Sequence, residues 1–373
     1  MVTHMDKTRP NLLIVAASGL GKTGVPNVIF QVVLSLHEYY NIDLVVYNGD
    51  NYYEEKIKEC GCNIIRINDR EPNGTFKRFV WRFFKEKSIY SKIFRSIFNA
   101  KHYVAVHSFR EYDSAYIFTE AEKHNVEQRI IHCNNEISPP NSIVSNFFLK
   151  KKAKIIRRLT TQLVGVSSNC CVKSYPEMKH TVIFNSYDES KFNESIEKHE
   201  ESNDIKLLQV ATFSYRKNQL FTLDVLNEML KNNSKVKLYL AGTEVQPGYL
   251  EKIQARIKEL KLESNVHIVD GNSDLTQLYK SATFFLLPSL HEAAPITLVE
   301  AQACGILCFA SDTITKDMDC GGVKYLSIND TRLWSNEILR AFNSMGSKRT
   351  KYDVSRFSSD SFRKNIRNLY GIE

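Results

Sequence analysis

Short apolar runs alternate with amphipathic stretches along most of the chain. In the first half the apolar runs are LLIVAA, DLVVYN, YVAVHS, RIIHC and LVGVSS, and the helical stretch VPNVIFQVVLSLHEYY separates the first two. Apolar runs of this length, separated by amphipathic stretches, are typical of strands in a parallel sheet that helices cover on both faces. The pattern therefore predicts a Rossmann-like domain.

The same pattern restarts after a polar stretch at residues 185–204, with the strand-like runs IKLLQVA, KVKLYLAG, NVHIVDG, TFFLLPS and ILCFASD. We therefore predict an α/β protein with two Rossmann-like domains that face each other across a cleft. The first domain comprises residues 1–187 and is joined by a C-terminal helix at 355–373, and the second comprises residues 188–354. Because such sheets bind ligands at the carboxyl ends of their strands, site residues are expected in the turns that follow the strands.

The bulk properties exclude several classes of protein. A chain of 373 residues is long enough for two cores. The sequence contains no run of 18 or more apolar residues, which argues against a membrane-spanning helix. The first residues lack the apolar core of a signal peptide, so a cytoplasmic location is expected. The eight cysteines are scattered without a CxxC pair, which favours reduced, mostly buried thiols over a zinc site.

The net charge of +8 is concentrated in two patches. Residues 75–103 carry eight Lys or Arg against one acid, and residues 150–158 carry six with none. Aromatic residues interleave with the first patch: Phe79, Trp81, Phe83, Phe84, Phe94 and Phe98. This favours a surface resting on anionic lipid, hence peripheral association with the inner face of the plasma membrane. A solvated helix face is the alternative, and no nucleic-acid-binding module is recognised.

The stretch AASGLGKTG, residues 16–24, is a loose match to the phosphate-binding loop of nucleotide hydrolases. In such loops the helix begins at the Lys-Thr pair, but here Pro26 would then lie where a helical N–H is needed. Pro26 fits the first helical position, so the helix is expected to begin near Val25 and leave Lys22 in the loop. We interpret this stretch as a Gly-rich turn that lets a diphosphate approach the backbone, from a ligand held mainly elsewhere.

The stretch PSLHEAAPITLVEAQACGILCFASD, residues 288–312, carries the strongest signal. Pro295 is placed to open a helix and Gly305 to close it, between two apolar strands. Glu300 lies within this helix and Glu292 in the turn before it, and buried carboxylates need partners or a solvated cleft. We expect carboxylates that accept hydrogen bonds from ligand hydroxyls, beside helix-start amides that bind an anion. For Glu300 a purely helix-dipole role is the alternative.

Glu292, seven further residues, Glu300 and then Ala-x-Ala-Cys-Gly resemble the E-x7-E signature of retaining glycosyltransferases of family 4, which have the GT-B fold. The segment EKHNVEQRIIHCN resembles an acceptor-domain segment of exopolysaccharide and capsule members. GKTGVPNVIFQVV resembles the family's Gly-Gly turn and first helix, VATFSYRKNQ its lysine-bearing segment and FRKNIRNLY its crossover helix, so the similarity extends over nearly the whole chain. The chain departs from the family's pattern at several points. Ala211-Thr212 replaces a Gly-Arg pair, Asn134 stands where many members have His, and Ala294 replaces a bulkier residue.

The resemblance implies a role for each matching residue. Lys217 would neutralise the leaving diphosphate, with Arg216 in place of the missing arginine, while Glu300 would hold the ribose hydroxyls and Glu292 would orient the donor sugar. The amides of Gly24, Ile296 and Thr297 would hold phosphates. Thr212, Gly242 and Ala294 complete the donor-binding set, and the acceptor-side candidates are His107, His132 and Asn134.

The expected function is transfer of a sugar from a nucleotide-sugar, a UDP-sugar, to a lipid-linked saccharide in cell-surface polysaccharide biosynthesis. No obligatory cofactor or metal is expected, because the Asp317-Met318-Asp319 stretch lies in a loop near the C-terminus and the histidines lack a third ligand at useful spacing. The alternatives are a nucleotide hydrolase or switch of the phosphate-loop type and a GT-B sugar-nucleotide epimerase.

Overall fold

The structure, a computed structural model, describes residues 8–22, 24–67, 86–136, 143–192, 204–233, 235–345 and 349–373. The chain divides into two compact units. Unit 1 comprises Met1–Asn185 and Asp360–Glu373, and unit 2 comprises Ser186–Ser359. In both units parallel strands alternate with helices, as the apolar pattern predicts.

The described part of unit 1 contains a seven-stranded parallel sheet with the order β3-β2-β1-β4-β5-β6-β7. Its strands are β1 (Asn11–Val15), β2 (Asn41–Tyr47), β3 (Asn63–Ile67), β4 (Ala105–Ser108), β5 (Gln128–Cys133), β6 (Gln162–Gly165) and β7 (Thr181–Val182). On β1, Leu12 lies between Ile42 of β2 and Ala105 of β4. The chain leaves β1 in one direction across the sheet and β4 in the other, so the switch point of this sheet lies between these two strands.

Helices cover this sheet: α1 (Gly24–Leu36), α2 (Glu54–Glu59), α3 (Glu86–Ala100), α4 (Ser114–Lys123), α5 (Ile143–Leu159) and α6 (Ser168–Ser174). The C-terminal helix (Ser359–Leu369) adds Phe362 and Ile366 to the core of unit 1. Helix α3 buries Phe94 and Phe98 completely or nearly so. The prediction that these two rings face lipid is therefore wrong, because they pack into the interior, while residues 75–85 of that patch lie outside the described residues.

Within the described residues, unit 2 contains a six-stranded parallel sheet with the order β10-β9-β8-β11-β12-β13. Its strands are β8 (Ile205–Val210), β9 (Val236–Gly242), β10 (Val266–Asp270), β11 (Phe284–Leu287), β12 (Leu307–Ser311) and β13 (Val323–Leu326). Its helices are α7 (Glu189–Phe192), α8 (Gln219–Leu230), α9 (Tyr249–Glu259), α10 (Thr276–Ser281), α11 (Ile296–Ala303) and α12 (Thr331–Ser344). The switch point of this sheet lies between β8 and β11.

Helix α1 begins at Gly24, one residue before the predicted start, and Lys22 precedes it. Pro26 is the third helical residue rather than the first, but it still lies in the first turn, where an N–H has no intrahelical partner. All eight cysteines are free thiols and six of them are buried, as predicted.

Candidate active site

Lys217 lies just past β8, at the switch point of the unit 2 sheet, in a single 3-10 turn over Tyr215–Lys217. Its neighbour Asn218 adopts a left-handed backbone with φ +55°, a conformation that Asn tolerates better than most residues. The Asn218 side chain donates to the Pro288 carbonyl at 3.1 Å, and Gln209 donates to the Lys217 carbonyl at 2.8 Å. These bonds fix the backbone that carries the lysine.

The Lys217 ammonium donates to Glu292 Oε1 at 2.6 Å, and the buried Ser289 hydroxyl donates to the same oxygen at 2.7 Å. Both charged side chains are largely buried, with 15% of Lys217 and 8% of Glu292 exposed. Burying a pair of charges costs desolvation free energy, and removing one partner leaves the other charge uncompensated. Lys217, the predicted leaving-group cation, and Glu292, the first predicted carboxylate, therefore form a largely buried ion pair.

Glu300 lies in the middle of α11, and its Oε2 accepts a hydrogen bond from the Tyr279 hydroxyl of α10 at 2.7 Å. Tyr279 is buried between the rings of Phe192 and Phe285. Burial raises the pKa of Glu300 to about 7, although the Tyr279 bond and the charge of Lys191 oppose that rise. Glu300 is therefore close to half-ionised near neutral pH, so a change in its surroundings changes the fraction that carries a charge.

The N-terminus of α11 lies between these two carboxylates in sequence. Pro295 is its N-cap, and Ile296 and Thr297 are its first two residues, both half-buried. The first amides of a helix have no intrahelical acceptor and carry the positive end of the helix dipole, which suits them to an anion. The predicted start of this helix is confirmed within one residue.

The other predicted donor residues of unit 2 lie at or shortly after the carboxyl ends of β8, β9 and β11. Arg216 is exposed, and Thr212 and Ala294 are half-buried. Gly242 ends β9, and a Cβ there would lie 2.0 Å from the Ala211 carbonyl oxygen, so only glycine fits between these backbones. Gly24 belongs to unit 1, where it opens α1.

The predicted acceptor-side histidines lie in the interior of unit 1, where both rings are fully buried. His107 Nε2 lies 3.2 Å from His132 Nδ1, and His107 Nδ1 lies 2.8 Å from the Tyr370 hydroxyl. Burial lowers the pKa of both rings, that of His132 to about 3, so both are neutral at neutral pH. The structure gives neither ring a surface that a ligand can touch.

Asn134, the third acceptor-side candidate, lines a pocket of about 270 Å³ in unit 1 together with Glu111 and Arg110. Sequence reasoning missed Glu111, Tyr279 and Ser289. The charged pair Arg110-Glu111, which follows the apolar run YVAVHSF, could have indicated Glu111, whereas no local signal distinguishes Tyr279 or Ser289 from ordinary core and turn residues.

No group of three or more His, Cys, Asp or Glu side chains that could hold a metal ion occurs among the described residues. In the Asp317–Asp319 loop, the Arg356 guanidinium donates to the carbonyls of Asp317 and Asp319 at 2.8 and 2.7 Å. Within the same described ranges, none of the helices is both long and apolar enough to span a bilayer.

Residues 191–316 match the family of glycosyl transferases group 1. This range contains every predicted donor-side residue except Gly24. The similarity to glycosyl transferases group 1 therefore lies within unit 2. The family match covers the β8–α8 turn that carries Lys217 and the α11 segment that carries both carboxylates.

Two curated relatives extend this similarity. The chain is 27% identical over 219 residues to the capsular polysaccharide biosynthesis glycosyltransferase CapH of Staphylococcus aureus, a match that covers 56% of this chain. It is 25% identical over 171 residues, 42% of its length, to the UDP-Gal:alpha-D-GlcNAc-diphosphoundecaprenol alpha-1,3-galactosyltransferase of Escherichia coli. The chain spans 59% of CapH and 43% of the galactosyltransferase.

Among solved structures, the chain is similar to HepE of Anabaena in complex with UDP, with a TM-score of 0.76 and 14% sequence identity. The similarity covers 97% of this chain and 99% of HepE. At this identity the likeness shows the fold, and the prediction of a GT-B architecture with two Rossmann-like domains is confirmed.

Proposed function

We propose that the protein is a glycosyltransferase that moves a sugar from a UDP-sugar to a lipid-linked saccharide during cell-surface polysaccharide biosynthesis. The observation that carries this proposal is the Lys217–Glu292 pair beside the N-terminus of α11, inside the group 1 domain. The relatives agree with each part of it: HepE binds UDP, CapH acts in capsule biosynthesis, and the E. coli galactosyltransferase is named for UDP-Gal and a diphosphoundecaprenol-linked sugar.

In this mechanism the donor site stabilises the leaving group. Negative charge grows on the departing UDP, and a positioned ammonium and helix-start amides stabilise it without reorganisation. Lys217 exchanges part of its contact with Glu292 for the diphosphate, and Glu292 then accepts a hydrogen bond from the donor sugar. Glu300 accepts hydrogen bonds from the ribose hydroxyls at Oε1, because its Oε2 is bonded to the Tyr279 hydroxyl.

We propose that the reaction retains the anomeric configuration. The bond between the anomeric carbon and the phosphate oxygen breaks, and its electron pair goes to UDP. A bond from the acceptor oxygen forms on the same face, and the acceptor's proton goes to the leaving phosphate. Neither Glu292 nor Glu300 is assigned as a nucleophile. Glu292 is paired with Lys217, and Glu300, bonded to Tyr279, is proposed to bind the ribose.

A basic surface of unit 1 supports the proposed membrane association. Phe147, Lys150, Lys151 and Lys154 recur at helical spacing on α5, all are exposed, and we call them the α5 basic face. The Lys151 ammonium lies 4.4 Å from the centre of the Phe147 ring. An exposed aromatic ring among lysines suits the interface of an anionic bilayer, which a peripheral enzyme on the cytoplasmic side would meet.

A donor panel tests the proposal. The purified chain is incubated with UDP-glucose, UDP-galactose, their N-acetylamino counterparts, GDP-mannose or ATP, with and without undecaprenyl-diphosphate-linked N-acetylglucosamine. We expect a UDP-sugar to raise the thermal midpoint and UDP release to depend on the acceptor. Conversion of donor without any acceptor would indicate the epimerase instead, and hydrolysis of ATP alone would indicate the phosphate-loop hydrolase.

A further inference from the structure

Strand β8 contains a buried glutamine close to its carboxyl end. Gln209 is 1% exposed and pairs with Leu240 of the neighbouring strand β9. A buried amide costs free energy unless its polar atoms have partners, and an apolar side chain at this position would avoid that cost. The partners of Gln209 therefore indicate what its amide does in the fold.

These partners also fix the orientation of the amide. Gln209 Nε2 donates to the Lys217 carbonyl at 2.8 Å, and because a carbonyl can only accept, Oε1 must face the other partner, Thr222 of α8. The Thr222 hydroxyl, also 1% exposed, donates to Gln209 Oε1 at 2.7 Å. A helical threonine commonly bonds a carbonyl of its own helix, whereas this one connects α8 to β8. Two buried hydrogen bonds thus run from α8 through β8 to the backbone of Lys217.

The neighbours of Lys217 are held from another direction, by the loop that follows β11. The Leu290 amide donates to the Arg216 carbonyl at 2.9 Å, and the Asn218 side chain donates to the Pro288 carbonyl at 3.1 Å. The same loop carries the carboxylate that accepts from the Lys217 ammonium. Three consecutive residues of the turn are therefore anchored, and the anchor at Lys217 itself comes from the interior of unit 2.

An anchored backbone matters because of the side chain that it carries. The lysine ammonium lies at the end of a flexible four-carbon stem, so a shift of the backbone displaces the charge. A preorganised charge stabilises a leaving group without reorganisation, and a misplacement of about 1 Å in a site can cost about 10²-fold in rate. Gln209 and Thr222 are too deeply buried to touch a ligand, so any effect they have on the reaction passes through Lys217.

We propose that Gln209 and Thr222 are positioning residues of the donor site, which hold the Lys217 turn so that its ammonium meets both Glu292 and the leaving diphosphate. The inference rests on the proposed function for the identity of the leaving group. It adds two side chains that lie behind the site to those that set the rate. It also requires that their effect on the reaction disappears when the lysine side chain is removed.

A matched pair of variants separates positioning from general stability. Thr222→Val removes the hydroxyl that bonds Gln209, close to the carboxyl end of β8. Thr283→Val is the control, because the Thr283 hydroxyl also bonds β8, accepting from the Lys206 amide at 3.0 Å, but at the amino end of the strand. Thr222→Ser keeps the hydroxyl and tests rescue, and Gln209→Leu removes both bonds of the amide. Thr222→Val is also combined with Lys217→Ala.

The rate is that of acceptor-dependent UDP release at saturating donor, with undecaprenyl-diphosphate-linked N-acetylglucosamine as acceptor. We expect Thr222→Val and Gln209→Leu to lower it on the order of 10-fold, the equivalent of one lost hydrogen bond. Thr222→Ser and Thr283→Val should stay within about 2-fold of wild type, even though Thr283→Val lowers the thermal midpoint as Thr222→Val does.

In the Lys217→Ala background, Thr222→Val should have no further effect on this rate, because residues that act through one group are not additive. The same fractional loss in that background as in the wild type would show that Thr222 acts on stability alone, and would overturn the inference. Wild-type turnover in Thr222→Val or in Gln209→Leu would overturn it as well.

A measurement without donor distinguishes failure of this inference from failure of the proposed function. In protein labelled with heavy nitrogen at its lysines, the Lys217 ammonium is observed by NMR and identified by the loss of its signal in Lys217→Ala. A largely buried, ion-paired ammonium exchanges its protons slowly, so we expect this signal in the wild type and in Thr283→Val. It should be shifted or broadened in Thr222→Val.

An unchanged signal in Thr222→Val, or no such signal in the wild type, overturns the inference. A signal that changes in Thr222→Val, in a protein that neither binds UDP in calorimetry nor releases it from a donor, would instead overturn the proposed donor and leave the positioning of Lys217 standing.

Discussion

Lys217 and Glu292 form an ion pair at 2.6 Å, and the Ser289 hydroxyl donates to the same carboxylate oxygen. The proposed function therefore gives this lysine two roles, since it compensates a buried carboxylate and would stabilise the leaving diphosphate. Lys217→Ala should lower the rate of transfer on the order of 10²- to 10³-fold at saturating donor, because one preorganised cation is lost. It should also lower the thermal midpoint, because Glu292 is left buried and uncompensated.

The control for this variant is Lys252→Ala, an exposed lysine on α9 of the same unit. We expect it to change neither rate nor midpoint. Turnover of Lys217→Ala within a few-fold of wild type would show that the leaving group is stabilised elsewhere, and the assignment of Lys217 would be abandoned.

Tyr279→Phe tests how Glu300 is kept ionised. The pKa of Glu300 is raised to about 7, with burial and Asp188 raising it and Tyr279 and Lys191 lowering it. If ionised Glu300 binds the ribose, UDP affinity should increase as the pH rises through about 7. Removing the Tyr279 hydroxyl should raise the pKa further, so the midpoint of the UDP affinity profile should move to higher pH.

The measurement for Tyr279→Phe is the UDP dissociation constant by calorimetry between pH 5.5 and 9. A several-fold loss at pH 7 that shrinks toward pH 9 is expected. A loss that is equal at every pH would mean that Tyr279 only supports packing between Phe192 and Phe285.

Glu300→Gln should lower donor affinity and raise the thermal midpoint of the ligand-free protein at pH 8. An acid whose folded pKa lies above its unfolded value stabilises the fold at low pH, and this contribution is lost as the pH rises through the folded value of about 7. The neutral glutamine avoids that loss, so the ligand-free variant should have a higher thermal midpoint than wild type at pH 8 and a similar one at pH 5. Donor affinity should fall at pH 8, and a midpoint below wild type at that pH would contradict this account.

Lys22→Ala separates the transferase from the phosphate-loop alternative. Lys22 precedes α1, with its ammonium 5.9 Å from the centre of the Tyr52 ring, rather than opening the helix. We therefore expect at most a few-fold change in acceptor-dependent UDP release. An ATPase activity present in the wild type and abolished in this variant would overturn the proposed function.

The apolar pattern predicted the strands that are buried on both faces, such as β1 and β11, because such strands must be apolar throughout. It did not predict β3 and β13, whose residues are mostly half-buried or exposed and follow no clear run. Amphipathic α12 was also missed, although it buries Trp334 and Ile338.

Glu292 and Glu300 could be predicted as candidate site residues because they are charged within an otherwise apolar stretch. A buried carboxylate needs a hydrogen-bonding or charged partner, and the neighbouring residues in sequence do not provide one. Their partners could not be predicted, since Tyr279 comes from another helix and makes its contact only after folding. The histidines illustrate the converse. His107 and His132 lie on adjacent strands, and only the structure reveals that their side chains face the interior and each other.

The α5 basic face gives the last prediction, which concerns the membrane. Each Lys or Arg close to an anionic surface contributes about 1 kcal/mol, and the attraction is screened over about 8 Å in physiological salt. The triple reversal of Lys150, Lys151 and Lys154 to Glu should therefore release the protein from vesicles containing phosphatidylglycerol in a flotation assay. The matched control reverses Lys231, Lys235 and Lys252, exposed lysines of unit 2, and should float like the wild type. Because every proposed donor residue except Gly24 belongs to unit 2, the α5 reversal should leave UDP affinity unchanged and weaken use of a lipid-linked acceptor in vesicles. Flotation that is insensitive to salt and to lipid charge would refute an electrostatic contact.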